Sequence, residues 1–150
     1  MADLIPKATS TTHLHLLAIV NTQTGPLRPD GPVRVLDAGC GNGNLAAYLG
    51  VALPALRPDI EWELFGFDVH DHGVQQHGFM HETLNFLNAE LPGLPWEERI
   101  RCISTADPWP FPDGFFDVVV SNQVLEHVWD HARFFRENAR VLRTGGFAVH

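Results

Sequence analysis

Two acids and three glycines form the part of this sequence best suited to chemistry. The run VRVLDAGCGNG carries Asp37 into a loop that contains Gly39, Gly41 and Gly43. Glycines at the end of a strand let the backbone approach a ligand closely. A second acid, Asp68, follows 25 residues after the last of these glycines, in the run FGFDV. The spacing indicates a nucleotide-type ligand between the loop and the two carboxylates.

The glycine loop does not fit the two common phosphate-binding patterns. A dinucleotide site of the form G-x-G-x-x-G requires a third glycine where Asn44 stands, so a nicotinamide-dependent oxidoreductase would need Asn44 to replace a packing glycine. A P-loop requires a lysine after the glycines, and the only lysine of the chain is Lys7. An acid beside the loop repels phosphate and favours a ligand with an ammonium and a sulfonium centre. The loop therefore predicts a cationic ligand.

Alternating strands and helices must position these residues. Branched and aromatic runs predict strands, the patterns between them predict helices, and three prolines in PWPFPDG exclude regular structure there. The predicted strands are 33–38, 60–69, 99–104, 115–121 and 145–150, and the predicted helices are 10–22, 44–56, 72–91 and 129–142. Apolar strands that alternate with helices indicate an α/β fold with a doubly wound parallel sheet, which binds ligands past the carboxyl ends of its strands.

The composition limits the domain organisation and the partners. We predict a leader helix and linker over residues 1–28 and one domain over 29–150. A formal net charge of −8 with ten basic residues argues against nucleic acid as a partner. No run approaches the ~20 apolar residues of a membrane span, and the N-terminus lacks a secretory pattern. Cys40 and Cys102 are too few for a disulfide scaffold, so we expect free thiols and a cytoplasmic protein.

Four sequence blocks occur in a consistent order between residues 33 and 147. They are VLDAGCGNG, FGFDV, PFPDGFFDVVVSNQVLEHV and RVLRTGG. Together they resemble the motifs of class I S-adenosylmethionine-dependent methyltransferases, in particular the small-molecule branch of the methyltransferase type 11 kind. The resemblance implies a Rossmann-like methyltransferase fold. It also implies an enzyme that transfers a methyl group from S-adenosylmethionine to an oxygen or nitrogen of a small-molecule acceptor.

The resemblance assigns roles to the residues that bind the cofactor. Asp68 is expected to accept both ribose hydroxyls, the alternative being an ordinary helix N-cap. Asp37 and the backbone carbonyl of Asn122 are expected to face the methionine amine, although Asp37 also suits a cap for the loop amides. The complete predicted set is Asp37, Gly39, Cys40, Gly41, Gly43, Asp68, Val69, Ala106, Asp107 and Asn122.

The residues that read adenine match the family pattern less well. Similar proteins place an acid after the third strand, where its carboxylate and a neighbouring backbone amide meet the adenine edge. The corresponding position here is Thr105, and Asp107 lies two residues later. Either Asp107 serves as that acid or the Ala106 amide reads adenine with Thr105 in a lesser role. A loop acid before Pro108 is the structural alternative for Asp107.

His127 is the one candidate for a catalytic base, since LEHV follows the fourth strand on the side that faces the acceptor in similar enzymes. The alternative is a histidine that packs within the loop. A related E-x-x-E-H stretch binds a divalent metal in ubiquinone-pathway and small-RNA methyltransferases, but Gln123 replaces its first acid here. Losing a carboxylate weakens such a site, so we predict no metal. His77 and His81 share a helix face, and without a third ligand we predict that this face is solvated.

The resemblance stops at the fifth strand. Class I methyltransferases have seven strands, and this sequence ends as the fifth begins, so we expect a fragment of a longer protein or a second copy that covers the exposed strand. Part of the acceptor pocket in similar enzymes comes from the two last strands. The alternative function is therefore a non-catalytic S-adenosylmethionine-binding or interaction module. The acceptor itself is not encoded in any motif that we identify.

Overall fold

A parallel five-stranded sheet forms the centre of the molecule. The computed structural model describes residues 11–27, 29–71 and 78–150. Its helices are α1 (Thr11–Thr24), α2 (Asn44–Leu56), α3 (Phe79–Glu90), α4 (Trp96–Arg99) and α5 (His131–Val141). Its strands are β1 (Val33–Ala38), β2 (Trp62–Val69), β3 (Ile100–Ile103), β4 (Phe116–Val120) and β5 (Leu142–Val149), and a 3₁₀ turn covers Leu125–His127. The predicted α/β fold with a parallel sheet is confirmed.

The strand order is β3-β2-β1-β4-β5, so the first strand, β1, lies at the centre of the sheet. β1 pairs in parallel with β2 on one side and with β4 on the other. The connections after β1 and after β4 therefore run to opposite sides of the sheet. This reversal opens a crevice at the carboxyl ends of β1 and β4, where such sheets bind ligands.

Different side chains cover the two faces of the sheet. One face is aliphatic, and its core includes Val20, Leu49 and Leu53, which are fully buried where α1 and α2 pack together. The other face is aromatic, with Phe116 fully buried and Phe111 nearly so. These two phenylalanines anchor the core and the proline-rich loop. Burial of this apolar surface is the main force that holds the helices on the sheet.

The proline-rich loop lacks regular structure, and charged side chains of α5 hold it in place. The Arg140 guanidinium donates to the carbonyl oxygens of Trp109 and Phe111 at 2.9 and 2.8 Å. Glu137 Oε2 accepts from the Trp109 N–H at 2.8 Å, and Arg140 donates to Glu137 as well. The bond from Arg140 is the largest cause that lowers the pKa of Glu137. The loop can therefore pack Trp109 against the sheet without a hydrogen-bond ladder.

Three elements differ from the sequence predictions. β2 begins at residue 62 rather than 60, because Ile60 donates its N–H to the Arg57 carbonyl in a turn and is buried there. β5 begins at residue 142 rather than 145. The register of its pairing with β4 shifts between Phe116 and Val118, so Gly145 and Gly146 lie in an irregular part of the strand. α4 was not predicted because four residues are too short to show a helical period.

The remaining sequence predictions concern the third helix, the two cysteines and membrane spans. The helix predicted over 72–91 is observed as α3 from Phe79 to Glu90. Gly78 before it has a φ of 82°, which is not helical, so the predicted start is too early. Residues 72–77, with His77, lie outside the described part of the chain. Cys40 and Cys102 are free thiols, and Cys102 is exposed. Within the described ranges, no helix has the length and apolar character needed to cross a membrane.

Candidate functional site

A cavity of about 1060 Å³ opens at the carboxyl ends of β1, β2, β3 and β4. Nine of the ten predicted cofactor residues line it, as does His127. Gly43 is the exception. A Cβ at Gly43 would lie 3.1 Å from the Leu87 side chain and 3.3 Å from that of Thr83, so this glycine faces α3. Gly43 thus lies where α2 begins and faces α3, and its role as a cofactor-binding residue stays a prediction.

Positive backbone φ angles shape the glycine loop. Gly39 and Gly41 have φ of 83° and 51°, a region that other residues rarely adopt. A Cβ at Gly39 would lie 2.6 Å from Val124 Cγ2, so the loop after β4 closes directly over this position. A Cβ at Gly41 would meet only Asp68 Oδ2 within 4 Å, because this residue borders the cavity. The loop thus presents bare backbone to a ligand.

Asp68 joins the glycine loop to the end of β2. Its Oδ2 accepts from the Gly41 N–H at 2.7 Å, and its Oδ1 accepts from the Val69 N–H at 2.7 Å. A carboxylate oxygen has two acceptor sites, so these bonds are compatible with a ribose contact at the same oxygens. The side chain is buried except for 7% of its surface and lines the cavity. Asp68 therefore braces the loop in addition to the ligand role predicted for it.

Asp37 is the most unusual group of the site. It is 1% exposed, and its Oδ2 has no hydrogen-bond partner among the residues that the structure describes. Burial, and to a lesser degree the charge of Asp68, raise the pKa of Asp37 to about 7. A buried carboxylate oxygen without a partner is costly, and a cation in the cavity would relieve that cost. Asp37 is therefore the candidate in this cavity for contact with a positively charged group.

Thr83 is a residue of this site that the sequence analysis missed. It is 2% exposed on α3, and its hydroxyl lies 2.7 Å from the Gly41 carbonyl oxygen and 3.0 Å from that of Phe79. The hydroxyl has a single hydrogen to donate, which it shares between these two acceptors. The bond to Gly41 ties the glycine loop to α3 from the side opposite Asp68. A threonine inside a helix gives no local signal of such a contact, since the separation is 42 residues.

The turn at residues 104–107 forms another wall of the cavity. Asp107 Oδ2 accepts from the Ser104 N–H at 2.9 Å, and the Asp107 N–H donates to the Ser104 carbonyl at 3.0 Å. Asp71, which the sequence analysis did not select, accepts from the Thr105 N–H at 2.9 Å and from the Ser104 hydroxyl at 2.7 Å. Both predicted adenine residues, Ala106 and Asp107, line the cavity.

The wall that follows β4 is more open. Gln123 adopts a φ of 56°, the one positive value for a residue other than glycine in the described part of the chain. His127 ends the 3₁₀ turn and is exposed at the cavity, and Trp129 beside it is 96% exposed. In the ranges that the structure describes, no three His, Cys, Asp or Glu side chains cluster closely enough to hold a metal ion.

The leader helix also reaches the cavity. His13 on α1 is 5% exposed, lines the cavity and stacks on Tyr48 of α2 with ring centroids 6.0 Å apart. Burial lowers the pKa of His13, so its neutral form is favoured. Leu16, Leu17 and Val20 hold the helix in the aliphatic core. The sequence analysis predicted a helix here, and the contact of His13 with the cavity is a finding of the structure.

Comparisons with known proteins agree with this arrangement. A family model described as a methyltransferase domain matches residues 36–150. A probable S-adenosylmethionine-dependent methyltransferase of Mycobacterium tuberculosis is 35% identical over 115 residues, which are 77% of this chain and 34% of that protein. A ubiquinone biosynthesis O-methyltransferase of Albidiferax ferrireducens is 30% identical over 137 residues, covering 83% of this chain and 46% of that protein. The chain thus spans between a third and a half of these curated relatives.

Solved structures show the same fold. A phosphoethanolamine N-methyltransferase of Haemonchus contortus, in complex with phosphomonomethylethanolamine and S-adenosylhomocysteine, superimposes with a TM-score of 0.59. It is 20% identical, and the match covers 90% of this chain and 27% of that chain. The family match covers more than three quarters of the sequence and includes the glycine loop, Asp68 and the turn at residues 104–107. On these grounds the chain belongs to the family of methyltransferase domains.

Proposed function

We propose that this chain forms the S-adenosylmethionine-binding part of a methyltransferase that acts on an oxygen or nitrogen of a small molecule. The observation that carries the proposal is the buried Asp37 Oδ2, which has no hydrogen-bond partner in the described ranges and belongs to a cavity of about 1060 Å³. The amino-acid part of S-adenosylmethionine carries the ammonium group that such an oxygen requires. The M. tuberculosis relative, by its name, depends on the same cofactor.

The described residues fit the other parts of this cofactor. Asp68 supplies two carboxylate oxygens at the end of β2, where the resemblance places the ribose hydroxyls. Ala106 and Asp107 border the cavity on the side where the resemblance places adenine. Gly41 leaves its backbone bare beside Asp68, so the cofactor can approach without a side chain in the way. The acidic character of the site also disfavours ligands whose main charge is phosphate.

The residues of this chain contribute binding and alignment rather than covalent chemistry. When bound, S-adenosylmethionine supplies a sulfonium methyl group for an in-line displacement, in which alignment gives most of the acceleration. Asp37 holds the ammonium, and the glycine loop with Asp68 fixes the nucleoside. His127 is exposed at the cavity beyond β4, which supports our proposal that it takes a proton from a hydroxyl acceptor. An amine acceptor that is neutral at working pH would need this base less.

The names of two similar proteins bear on the acceptor of the methyl group. The Albidiferax relative is named for an oxygen acceptor of ubiquinone biosynthesis and the Haemonchus structure for a nitrogen acceptor. Both proteins therefore use small-molecule acceptors according to their names, which supports that class for this chain. The fold is shared by enzymes with unrelated acceptors, so the cavity wall after β4 must decide between oxygen and nitrogen.

Calorimetric titration with S-adenosylhomocysteine tests the cofactor proposal. We expect saturable binding by the 150-residue chain and an affinity at least about tenfold lower for Asp68→Asn, because the amide removes the charge that strengthens hydrogen bonds to the ribose. Asp30→Asn, at an exposed position outside the cavity lining, is the matched control and should bind as the unchanged chain does. A chain that is folded by circular dichroism and does not bind would overturn the proposal.

A turnover assay tests the catalytic part. The chain is incubated with S-adenosylmethionine and a panel of small phenols, alcohols and amines, and formation of S-adenosylhomocysteine is measured. Product that depends on the acceptor and is lost in Asp68→Asn supports methyl transfer. Binding without turnover for every acceptor in the panel would favour the non-catalytic binding module instead.

A further inference from the structure

The turn at residues 104–107 is held by two charged side chains from elsewhere in the fold. We propose that Arg133, together with Asp71, is a positioning residue that fixes this turn in the shape that distinguishes adenine from other purines. The inference rests on the proposed cofactor function, because it assigns the turn to the adenine end of that ligand. It adds two residues that neither the glycine loop nor the acid of β2 accounts for.

Arg133 holds the turn from the side of α5. Its Nη2 donates to the Ala106 carbonyl oxygen at 2.6 Å, across a separation of 27 residues. The backbone of the same residue is fixed as well, since its N–H donates to Oδ1 of Asp130, the N-cap of α5. A charged donor makes a stronger bond than a neutral one. Arg133 thus connects a rigid helix end to the middle of the turn.

Asp71 holds the turn from the side of β2. Its carboxylate accepts from the Ser104 hydroxyl at 2.7 Å, from the Thr105 N–H at 2.9 Å and from the Thr105 hydroxyl at 3.0 Å. These bonds, that from Ser104 first, lower the pKa of Asp71 to about 2, so the carboxylate stays charged at neutral pH. The turn is therefore gripped by an anion on one side and by a cation on the other.

Burial does not fix this turn. Thr105, Ala106 and Asp107 are all exposed, in contrast to Asp37 and Asp68 at the other end of the cavity. Within the turn, the Ala106 N–H donates only a long bond of 3.2 Å to the Ser104 hydroxyl. The other internal bonds join Asp107 to Ser104, at the two ends of the turn, and hydrogen bonds weaken steeply when their geometry is lost. The hydrogen bonds from Arg133 to Ala106 and from Thr105 to Asp71 hold the middle of the turn in one conformation.

That shape matters because adenine offers a donor beside an acceptor. Its 6-amino group donates and its N1 accepts, whereas hypoxanthine has a 6-oxo group that accepts and an N1–H that donates. Ala106 and Asp107 both line the cavity, and between them they carry a backbone N–H that donates and a carboxylate that accepts. This pair matches adenine and opposes hypoxanthine. A site that reads such a pair discriminates only while both groups keep their positions.

The ratio of two affinities tests the inference. S-adenosylhomocysteine and S-inosylhomocysteine, which differ only at the purine edge, are titrated into the unchanged chain and into Arg133→Lys and Arg133→Gln. We expect the unchanged chain to prefer the adenine ligand by about tenfold, the size of one or two hydrogen bonds. Arg133→Gln should bring the ratio close to one, and Arg133→Lys should retain part of the preference. Arg136→Gln, on the exposed surface of the same helix, should leave the ratio unchanged.

Each outcome separates the inference from the proposed function. If the unchanged chain binds neither ligand, the proposed function fails and the inference fails with it. If it binds both equally, or if Arg133→Gln keeps the full preference, the inference alone is overturned, since a merely structural loss weakens both ligands equally. Should Arg133→Gln not fold, Asp71→Asn gives the same reading from the other side of the turn and should also lower the ratio.

Discussion

The two sides of the cavity are built in opposite ways. On the side of β1 and β2, Asp37 and Asp68 are buried and the glycine loop is held by hydrogen bonds to its backbone. On the side of β4 and α5, His127 is exposed and Trp129 is 96% exposed. The first side thus holds its acids by burial, whereas the second presents exposed side chains to the cavity.

This difference follows from what each side must recognise. A cofactor common to a family requires the same groups in every member, and buried backbone and carboxylates hold them with little freedom. An acceptor that changes between members is better met by exposed side chains, because substitutions there cost little stability. We therefore expect changes on the buried side to affect folding and cofactor binding together, and changes on the exposed side to affect turnover alone.

Replacing Gly39 gives the strongest test of the buried side. Gly39→Ala places a methyl group 2.6 Å from Val124 Cγ2 at a φ of 83°, so we expect the free energy of unfolding to fall by about 4 kcal/mol, from strain and overpacking combined. Gly31→Ala is the matched control, because its Cβ would meet no atom within 4 Å. Urea denaturation measures both variants. Equal stability of the two would contradict the close packing of the loop against Val124.

A double variant separates the two causes. Adding Val124→Ala to Gly39→Ala removes the clashing methyl groups and leaves only the backbone strain, so part of the lost stability should return. No recovery would mean that the strained φ accounts for the whole loss.

The charge on Asp37 should make the chain less stable as the pH rises. Its pKa is about 7 in the folded state and near 3.9 when unfolded, so its contribution to stability is full below pH 4 and is lost as the pH rises through 7. Relative to Asp37→Asn, the free energy of unfolding should fall by about 3 kcal/mol between pH 5 and pH 8. Urea denaturation of both proteins at the two pH values measures this difference. If the difference in free energy of unfolding between the two proteins did not change with pH, folding would not raise the pKa of Asp37.

The sequence was sufficient for the parts of the site that lie at strand ends. Asp37, Gly39 and Asp68 belong to short runs whose apolar strands give them their position, and the parallel sheet brings those ends together. Thr83 and Arg133 escaped because each acts across a separation of 42 or 27 residues that depends on how the helices pack. No period or motif records such a contact.

The same limit applies to residues inside the predicted motifs. Gly43 belongs to the glycine motif, and its neighbours Leu87 and Thr83 of α3 are known only from the tertiary packing. Likewise His13 lies at a buried position of a leader helix, and its contact with the cavity depends on where α1 docks on α2. Local patterns thus located the strands and their ends, and tertiary contacts decided which neighbouring residues complete the site.

His127 tests the exposed side through turnover. With a phenol or alcohol acceptor, His127→Asn should lower kcat by about a hundredfold, the usual contribution of a general base, and with an amine acceptor the loss should be smaller. The affinity for S-adenosylhomocysteine and the free energy of unfolding should stay unchanged, since the side chain is exposed. His81→Asn, exposed on α3 and outside the cavity lining, is the control. If His127→Asn lowered the affinity for S-adenosylhomocysteine, His127 would contribute to cofactor binding and would not follow the expectation for the exposed side.

We expect the replacement of Trp129 to have the smallest effect on stability of the changes considered. A ring that is 96% exposed gains little from folding, and Trp129→Ala should change the free energy of unfolding by less than about 0.5 kcal/mol. Trp109→Ala, at 7% exposure in the aromatic core, should cost about 3 kcal/mol or more in the same urea experiment. If Trp129→Ala also raises the KM for the acceptor without changing cofactor affinity, the exposed wall contacts the acceptor. A large loss of stability would instead mean that Trp129 is packed in solution, and the contrast between the two sides would not hold at this residue.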